Sequence, residues 1–508
     1  MSSDPVVCLD FGTTKTLVAS GPHVPALGSM DRWMPSLVGL DDDGTILVGA
    51  DADLAVPERQ IRSIKRAITK RKNDIRDTAI WSVRPTSADE LIVALLGHVV
   101  VRAAGAGVDL LRPRALAVGC PSVWDSGQRQ RFVRLLNEAG IPANPADLVD
   151  EPVAAGIAWL DRQSLTGATP LRLLVFDMGG GTLDIAVIDV LGSRDDDIHL
   201  LAAVGRAEAG DTLDERIAED LARDLGLINH DDPDDEDTGY DSGIRSLDAR
   251  QRDLLLRAAR RLKVGLTTEE EAVAPLLREE FGVGEVWYER SRLEAAFAPQ
   301  MDRAIELVHV ALRIAHLSTG TPDAPPDPSP PPDQLLASVD VVLLAGGMCR
   351  VPYVAQRLRQ LFGPTPTIAL AYDPPEEAVV RGLASAGRYR TNTGYALDYH
   401  IVLEWDDGLR SCSLYEAYMP ILEPWWFERG WPGELRFLCT GRGLDLPRHG
   451  KGVLRVTGTD RPVAATLDGA SLDGFPVVLN GDAFELAIYP SGRLVVTDGA
   501  GVHVGRVR

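Results

Sequence analysis

The sequence predicts an α/β protein of two related lobes facing each other across a cleft, followed by a small all-β domain. Three observations lead there. A strand–turn–strand pattern with an acidic residue at its lip occurs twice, runs of helical apolar spacing alternate with strands around both copies, and that spacing stops after about Arg390. Strands alternating with helices mark an α/β architecture, and short alternating strands separated by turn residues mark an all-β unit.

The first copy of the pattern is an apolar strand over Val6–Asp10, the turn Gly12-Thr13-Thr14, and a second apolar run, Leu17–Ala19. The second copy is Leu173 to Asp177, the turn Gly179-Gly180-Gly181-Thr182, and the run Ile185–Ile188. Each predicts a β-hairpin with a carboxylate at its lip. Two copies, about a third of the chain apart, indicate a duplication rather than a solenoid. Helices are expected over Leu91–Val101, Gln128–Ala139 and Met301–Ile314, where apolar residues recur at three- and four-residue spacing. The acidic stretch His230–Asp241 reads as a solvated loop, and Pro-rich Thr321–Asp333 as a stiff, extended, non-helical insert. Beyond Arg390, short strands are expected at Gly452–Thr457, Val477–Asn480, Ala483–Ile488 and Arg493–Thr497. The chain therefore divides into 1–390 and a β-rich 391–508. Within the latter, Trp425-Trp426-Phe427, with Trp431 close by, reads as either an exposed anchor or the filling of a small core.

Composition excludes several classes. The 508 residues are 45% hydrophobic and 25% charged, as in ordinary globular proteins, and the formal charge is −22. That balance argues against nucleic acid as a partner, since such binding neutralises phosphates with Lys and Arg; the one basic run of useful length is Arg62–Arg71. The five cysteines are scattered, odd in number and never in CxxC spacing, which fits reduced thiols. No stretch has the roughly 18 apolar residues of a membrane span, and the N-terminus enters a strand without an export signal. A cytoplasmic location is expected.

Gly/Thr turns after strands expose backbone N–H groups that cradle phosphate oxygens, and glycine lets the chain approach a ligand closely. One such turn is weak evidence. Two, each led by a strand-terminal Asp, can hold adjacent phosphates from opposite lobes, while Asp10 and Asp177 bind waters of a Mg²⁺ ion. No G-x-x-x-x-G-K-[ST] sequence occurs, so this is not a P-loop protein.

The motifs together resemble the 70-kDa heat-shock chaperone family of the actin-like ATPase superfamily. Asp10-Phe-Gly-Thr-Thr14 and Asp177-Met-Gly-Gly-Gly-Thr182 are similar to its two phosphate motifs, Ser63-Ile-Lys65-Arg66 to its lysine segment, and Pro121 with Gln128-Arg129-Gln130 to its proline-switch region. Asp150-Glu151-Pro152 and Glu376-Glu377-Ala378 through Gly382 resemble the two connecting helices, and Gly346-Gly347-Met-Cys-Arg350-Val-Pro352 the adenosine motif. The order and spacing match over about residues 5–388 and imply a duplicated, ribonuclease-H-like ATPase domain. Only six of the 52 basic residues are lysine, the usage of a GC-rich bacterial genome, so a divergent bacterial member is implied.

The resemblance implies a role for each matched position. Asp10 and Asp177 would orient Mg²⁺ waters, and Asp177 or Glu151 the attacking water. Lys65 would place charge on the transferring phosphoryl group, and Thr13, Thr14 and Thr182 would bond phosphate oxygens. Asp184 would ligate a monovalent cation such as K⁺. Gly210 and Asp211 would lie near the ribose, Lys263 and Thr267 on a helix contacting the nucleoside, and Gly346, Gly347, Arg350 and Glu376 about the adenine. Alternatives stay open for some of these: Lys65 sits beside Arg66, Lys70, Arg71 and Lys72 and also reads as part of a solvated basic face, and Asp184 and Glu376 also read as capping or solvated carboxylates.

Three positions depart from the family's pattern. Lys15 stands where an aromatic usually follows the Thr pair, Arg260 where a glutamate flanks adenosine, and Val264 where some relatives carry arginine. The apolar-acidic interdomain linker is missing between Ala386 and Leu397, and no helical lid pattern follows the β-strands. The expected function is slow, Mg-dependent ATP hydrolysis by a monomeric chaperone-like protein. Its nucleotide state would govern binding of an unfolded or partner polypeptide by the β domain, with a co-chaperone or nucleotide-exchange factor as a further partner and no membrane involved. The alternative is an ATP-binding adaptor with little turnover.

Overall fold

The computed structural model describes residues 5–507 except 29–30, 77, 164–169, 191–196, 229–242, 322–323, 325, 429–433 and 459–462. The acidic stretch 230–241 and Trp431 therefore lie outside the described residues.

The first hairpin pairs β1 (Val7–Phe11) with β2 (Lys15–Ser20), Asp10 opposite Leu17. With β3 (Met34–Pro35), β4 (Leu116–Cys120) and β5 (Leu148–Asp150) it forms a five-stranded sheet in the order β3-β2-β1-β4-β5. The second hairpin pairs β6 (Leu171–Met178) with β7 (Leu183–Val190). Joined by β8 (Asp197–Arg206), β9 (Val341–Ala345) and β10 (Thr367–Leu370), it gives the order β10-β9-β6-β7-β8. The two sheets thus share one topology: an antiparallel hairpin whose first strand continues into two parallel strands. That shared strand order is the structural form of the repeated sequence pattern. Two connections remain covalent and helical: α3 (Glu151–Leu160) and α7 (Ala378–Leu383) cross each other between the lobes.

Local chemistry accounts for the helix ends. In α1 (Ala88–Gly105) the Ser87 hydroxyl accepts from the Glu90 N–H, and α2 (Ser126–Glu138) begins with a capping box between Asp125 and Gln128. The second lobe adds α4 (Gly210–Asp224), α5 (Ala249–Gly265) and α6 (Arg290–Ser318). The expected helix over Met301–Ile314 is therefore only part of one 29 residues long, which runs through Pro299. Packing along its length outweighs the lost N–H.

Three other expectations change. The Pro-rich insert is not extended throughout: Pro332 and Asp333 open a helix, Pro332–Ala337, because proline fits the first helical turn. Arg313 donates to the Pro328 carbonyl at 3.1 Å and the His316 ring lies 3.1 Å from that of Asp327, so the segment folds back on α6. Replacing residues 321–333 by a short Gly/Ser linker should leave nucleotide affinity unchanged; a loss beyond about tenfold, about 1.4 kcal/mol, would place it in contact with the cleft. Second, Trp425, Trp426 and Phe427 neither fill a sandwich core nor form a wholly exposed anchor. They lie on a five-residue helix packed on α6, with Arg313 5.0 Å from the Phe427 ring centre and Trp425 41% exposed. Third, the missing apolar linker is replaced by a polar strand, β11 (Arg390–Thr393), which pairs in parallel with β8 and extends the second lobe's sheet.

Among the described residues, the strands from His400 onward form one sheet of four strands and one of six. In the larger, His503 lies between Asp468 (2.6 Å) and buried Asp498 (3.3 Å); its bond to Asp468 holds its pKa above the ordinary histidine value despite partial burial. A raised folded pKa stabilises below the unfolded value of about 6.5 and is lost as pH rises through the folded value. The melting temperature should therefore fall more steeply above neutrality in the native chain than in His503→Gln; parallel curves would exclude this ion pair as the cause. Among the described residues no helix is long and apolar enough to cross a membrane, and all five cysteines are free thiols.

Candidate functional site

The two hairpin turns meet tip to tip. A Cβ on Gly180 would fall 1.8 Å from Thr14 Oγ1 and one on Gly181 2.6 Å from Thr13 Cγ2, so only glycine permits this approach between lobes. The first turn is held from behind by Ser36, whose hydroxyl donates to the Gly12 carbonyl at 2.7 Å. The second is closed by Gly179 N–H to Thr182 O at 3.0 Å, and α4 begins directly on it, its Gly210 and Asp211 N–H groups donating to Gly179 and Gly180 carbonyls.

Beneath the turns lies a buried cluster of charge. Lys65 is 3% exposed and its ammonium sits 2.6 Å from Glu151 and 5.3 Å from the Trp124 ring centre. Burial pulls the Lys65 pKa down, but Glu151, Asp10 and Asp184 more than offset it and hold it above the usual lysine value. Asp10 is pushed up to about 7 by burial and by Glu151, and Asp184 to about 7 for the same two reasons. Asp177 is raised further by burial, Glu151, Asp184 and Asp10. Asp177 and Asp184 are direct cross-strand partners on β6 and β7, a position where like charges repel. The Thr182 hydroxyl bonds Asp184, yet one buried oxygen of that carboxylate has no hydrogen-bond partner.

Four carboxylates about one lysine leave negative charge uncompensated, and an all-oxygen donor set with an orphaned buried oxygen suits hard cations. Among the described residues no group of three or more His, Cys, Asp or Glu side chains is arranged to cage an ion directly. Mg²⁺ is a hard cation of this kind, one that keeps most of its waters and takes few protein ligands.

A second wall stands opposite. Gly346 is in a left-handed conformation (φ +78°), and a Cβ there would lie 2.5 Å from Asp177 Oδ1. Arg350 forms a two-pronged ion pair with Glu376 (2.9 Å each), which Lys15 also approaches at 3.4 Å while lying over Trp33. A Cβ added at Gly347 would meet the Glu376 side chain at 3.7 Å. On the α5 side, Lys263 donates to Gly210 O at 2.9 Å and pairs with Asp214 at 2.6 Å, where Arg260 also pairs. Thr267 is not on the helix: α5 ends at Gly265, and the Thr267 hydroxyl caps back onto Val264 O. The family resemblance implied a place on that helix, which ends before Thr267 is reached.

Two further contributors were not anticipated. Ser63 adopts φ +59°, which costs a non-glycine residue about 1–2 kcal/mol, and thereby donates its hydroxyl to Asp211 across the cleft. Trp124, wholly buried, backs Lys65; its position three residues after Pro121 was the only cue in the chain.

Paired lobes of one topology, with glycine turns in contact above a buried lysine and carboxylates, define the actin-like class. A family model described as "Hsp70 protein" matches residues 113–392, more than half of the chain, and the chain belongs to this family. It is 27% identical over 420 residues to "Chaperone protein DnaK" of Thermotoga neapolitana, covering 78% of this chain and 61% of that protein. It is 26% identical over 422 residues to "Heat shock protein SSC3, mitochondrial" of Saccharomyces cerevisiae, covering 75% and 58%. The chain thus spans about three fifths of the length of these relatives.

Proposed function

We propose that the chain is a slow, Mg-dependent ATPase of the chaperone type, in which nucleotide state governs binding of a polypeptide by the β-rich region after Arg390. The observation that carries this reading is the buried Lys65–Glu151 pair beneath two apposed glycine turns. The N–H groups of Gly12 to Thr14 and Gly180 to Thr182 would cradle the phosphates of ATP, and the nucleoside would lie between the Lys263 and Gly346–Arg350 walls. Asp10 and Asp177 would hold Mg²⁺ through its waters and Asp184 would hold K⁺, and the bound Mg²⁺ would supply charge neutralisation at the phosphates. Lys65 places its ammonium where charge grows during transfer, the term that dominates phosphoryl-transfer catalysis, and Glu151 or Asp177 orients the attacking water.

Coupling to the β region has two supports. Strand β11 continues the second lobe's sheet, and Arg129 on α2 both pairs with Asp150, next to Glu151, and stacks 4.2 Å from the Tyr418 ring centre. Arg129→Ala should keep nucleotide binding and lose most of the peptide stimulation of hydrolysis, a coupling of about 5–150-fold in allosteric proteins. Undiminished stimulation would exclude this route. The polar character of β11 favours, as second reading, an adaptor that binds ATP with little turnover.

Single-turnover hydrolysis with and without an unfolded peptide separates the two. Acceleration by peptide supports the chaperone, and tight binding without turnover supports the adaptor. A co-chaperone or exchange factor, monomeric action and a cytoplasmic location belong to the first reading.

A further inference from the structure

The nucleotide cleft uses only one of the cations of the basic run 62–72, Lys65. Three of the chain's six lysines fall in it, at 65, 70 and 72, with Arg62, Arg66 and Arg71, in a protein of formal charge −22. Apart from Lys65 and Arg71, these side chains line a pocket of about 350 Å³ between the lobes. Arg62, Arg66, Lys70 and Lys72 come from the first lobe and Arg260 from α5 of the second; Asp211 and Glu215 are the acidic residues of the lining, and Arg62 and Arg260 also pair with Asp53 and Asp214. The pocket shares no residue with either glycine turn or with the Gly346–Arg350 wall, and it meets the nucleotide cleft at Ser63, Asp211 and Arg260.

A solvated basic face would be convex and wet. This surface is concave, has an apolar floor that includes Ile64, Ile75 and Leu256, and its volume falls in the range of small-molecule sites. Positive charges are also crowded there. Arg62 is pushed below its ordinary pKa by burial and then by Arg260 and Arg257, even though it pairs with Asp53 at 2.7 Å. The Arg66 guanidinium is 3.6 Å from Asp211, and its buried Nε has no hydrogen-bond partner. Crowded, partly desolvated cations lower their free energy by gaining a counter-anion. Guanidinium forks and ammonium groups around a small cavity match phosphate oxygens.

We propose that this pocket is a second ligand site, for a small polyphosphate group. Because its walls come from both lobes, an occupant favours the closed cleft and slows release of nucleotide, by the reciprocity of linked equilibria. The site adjoins the nucleoside region of the proposed function, and this consequence rests on that reading.

The test is calorimetric titration of the nucleotide-free full chain with inorganic pyrophosphate, without Mg²⁺. Lys70 and Lys72 are exposed, so the double variant Lys70→Gln/Lys72→Gln is expected to melt like the native chain. It should bind pyrophosphate at least about tenfold more weakly, roughly the effect of 1.4 kcal/mol, while Thr13→Val binds it as the native chain does. Native-like affinity in the double variant, loss of binding in Thr13→Val, or no binding to the native chain would each overturn the proposal. Titration with ADP identifies the source of the phosphates. A second ADP per chain that the double variant loses marks a nucleotide, and one ADP with pyrophosphate still binding in its presence marks free polyphosphate. The off-rate of preloaded fluorescent ADP should then fall on adding the second ligand in the native chain and not in the double variant.

Discussion

Lys65→Ala is expected to slow single-turnover ATP hydrolysis by at least about a hundredfold, the usual effect of removing one preorganised electrostatic donor from an active site. Nucleotide should remain bound, since the glycine turns and both nucleoside walls are untouched and the lost charge acts mainly on the transition state. The same change strands Glu151 as a buried carboxylate without its 2.6 Å partner. Breaking a buried pair from one side costs about 3–5 kcal/mol, so the variant's melting temperature must be measured alongside. Lys65→Ala/Glu151→Gln removes that charge imbalance and should recover stability without recovering hydrolysis. Native-like hydrolysis in Lys65→Ala would sink the assigned role. Recovery of hydrolysis in the double variant would show that the loss came from misfolding.

Gly382→Val should damage the cleft from a distance. Gly382 lies where α7 crosses α3, and a Cβ there would fall 1.7 Å from the Ala154 carbonyl oxygen, a backbone atom that cannot move aside alone. The helices must separate. Overpacking of this kind costs about 1–3 kcal/mol. Because α3 carries Glu151 at its start, the separation should also shift the floor of the cleft and weaken nucleotide binding more than about tenfold. Gly387→Ala is the control, since nothing lies within 4 Å of the added methyl, and it should stay within about 0.5 kcal/mol of the native chain. Titration with fluorescent ADP and thermal melting of both variants check the prediction. Equal affinity in Gly382→Val and the native chain would mean that the lobes tolerate splaying at this crossing.

Much of the cleft was legible in the chain, and for local reasons. Alternating apolar residues define hairpins, glycine and threonine define turns, and a carboxylate at the end of each strand stands out against them. Asp10, Asp177 and both turns follow from such short-range signals. What came from the family resemblance failed at an element's edge: Thr267 was expected on a helix that ends at Gly265. The role of Arg260 also changed in context, since it pairs with Asp214 beside Lys263.

By itself, then, the sequence determined the duplication, the α/β class, the shift to β-strands after Arg390 and the residues of the two turns, because each is written within a few neighbours along the chain. Only the tertiary structure decided what meets across the lobes. It sets Asp184 against Asp177, Ser63 against Asp211, Trp124 behind Lys65, Trp426 and Phe427 against α6, and basic side chains from both lobes around one pocket. These contacts join residues far apart in sequence, and what selects them is packing and charge in three dimensions, which no local periodicity records.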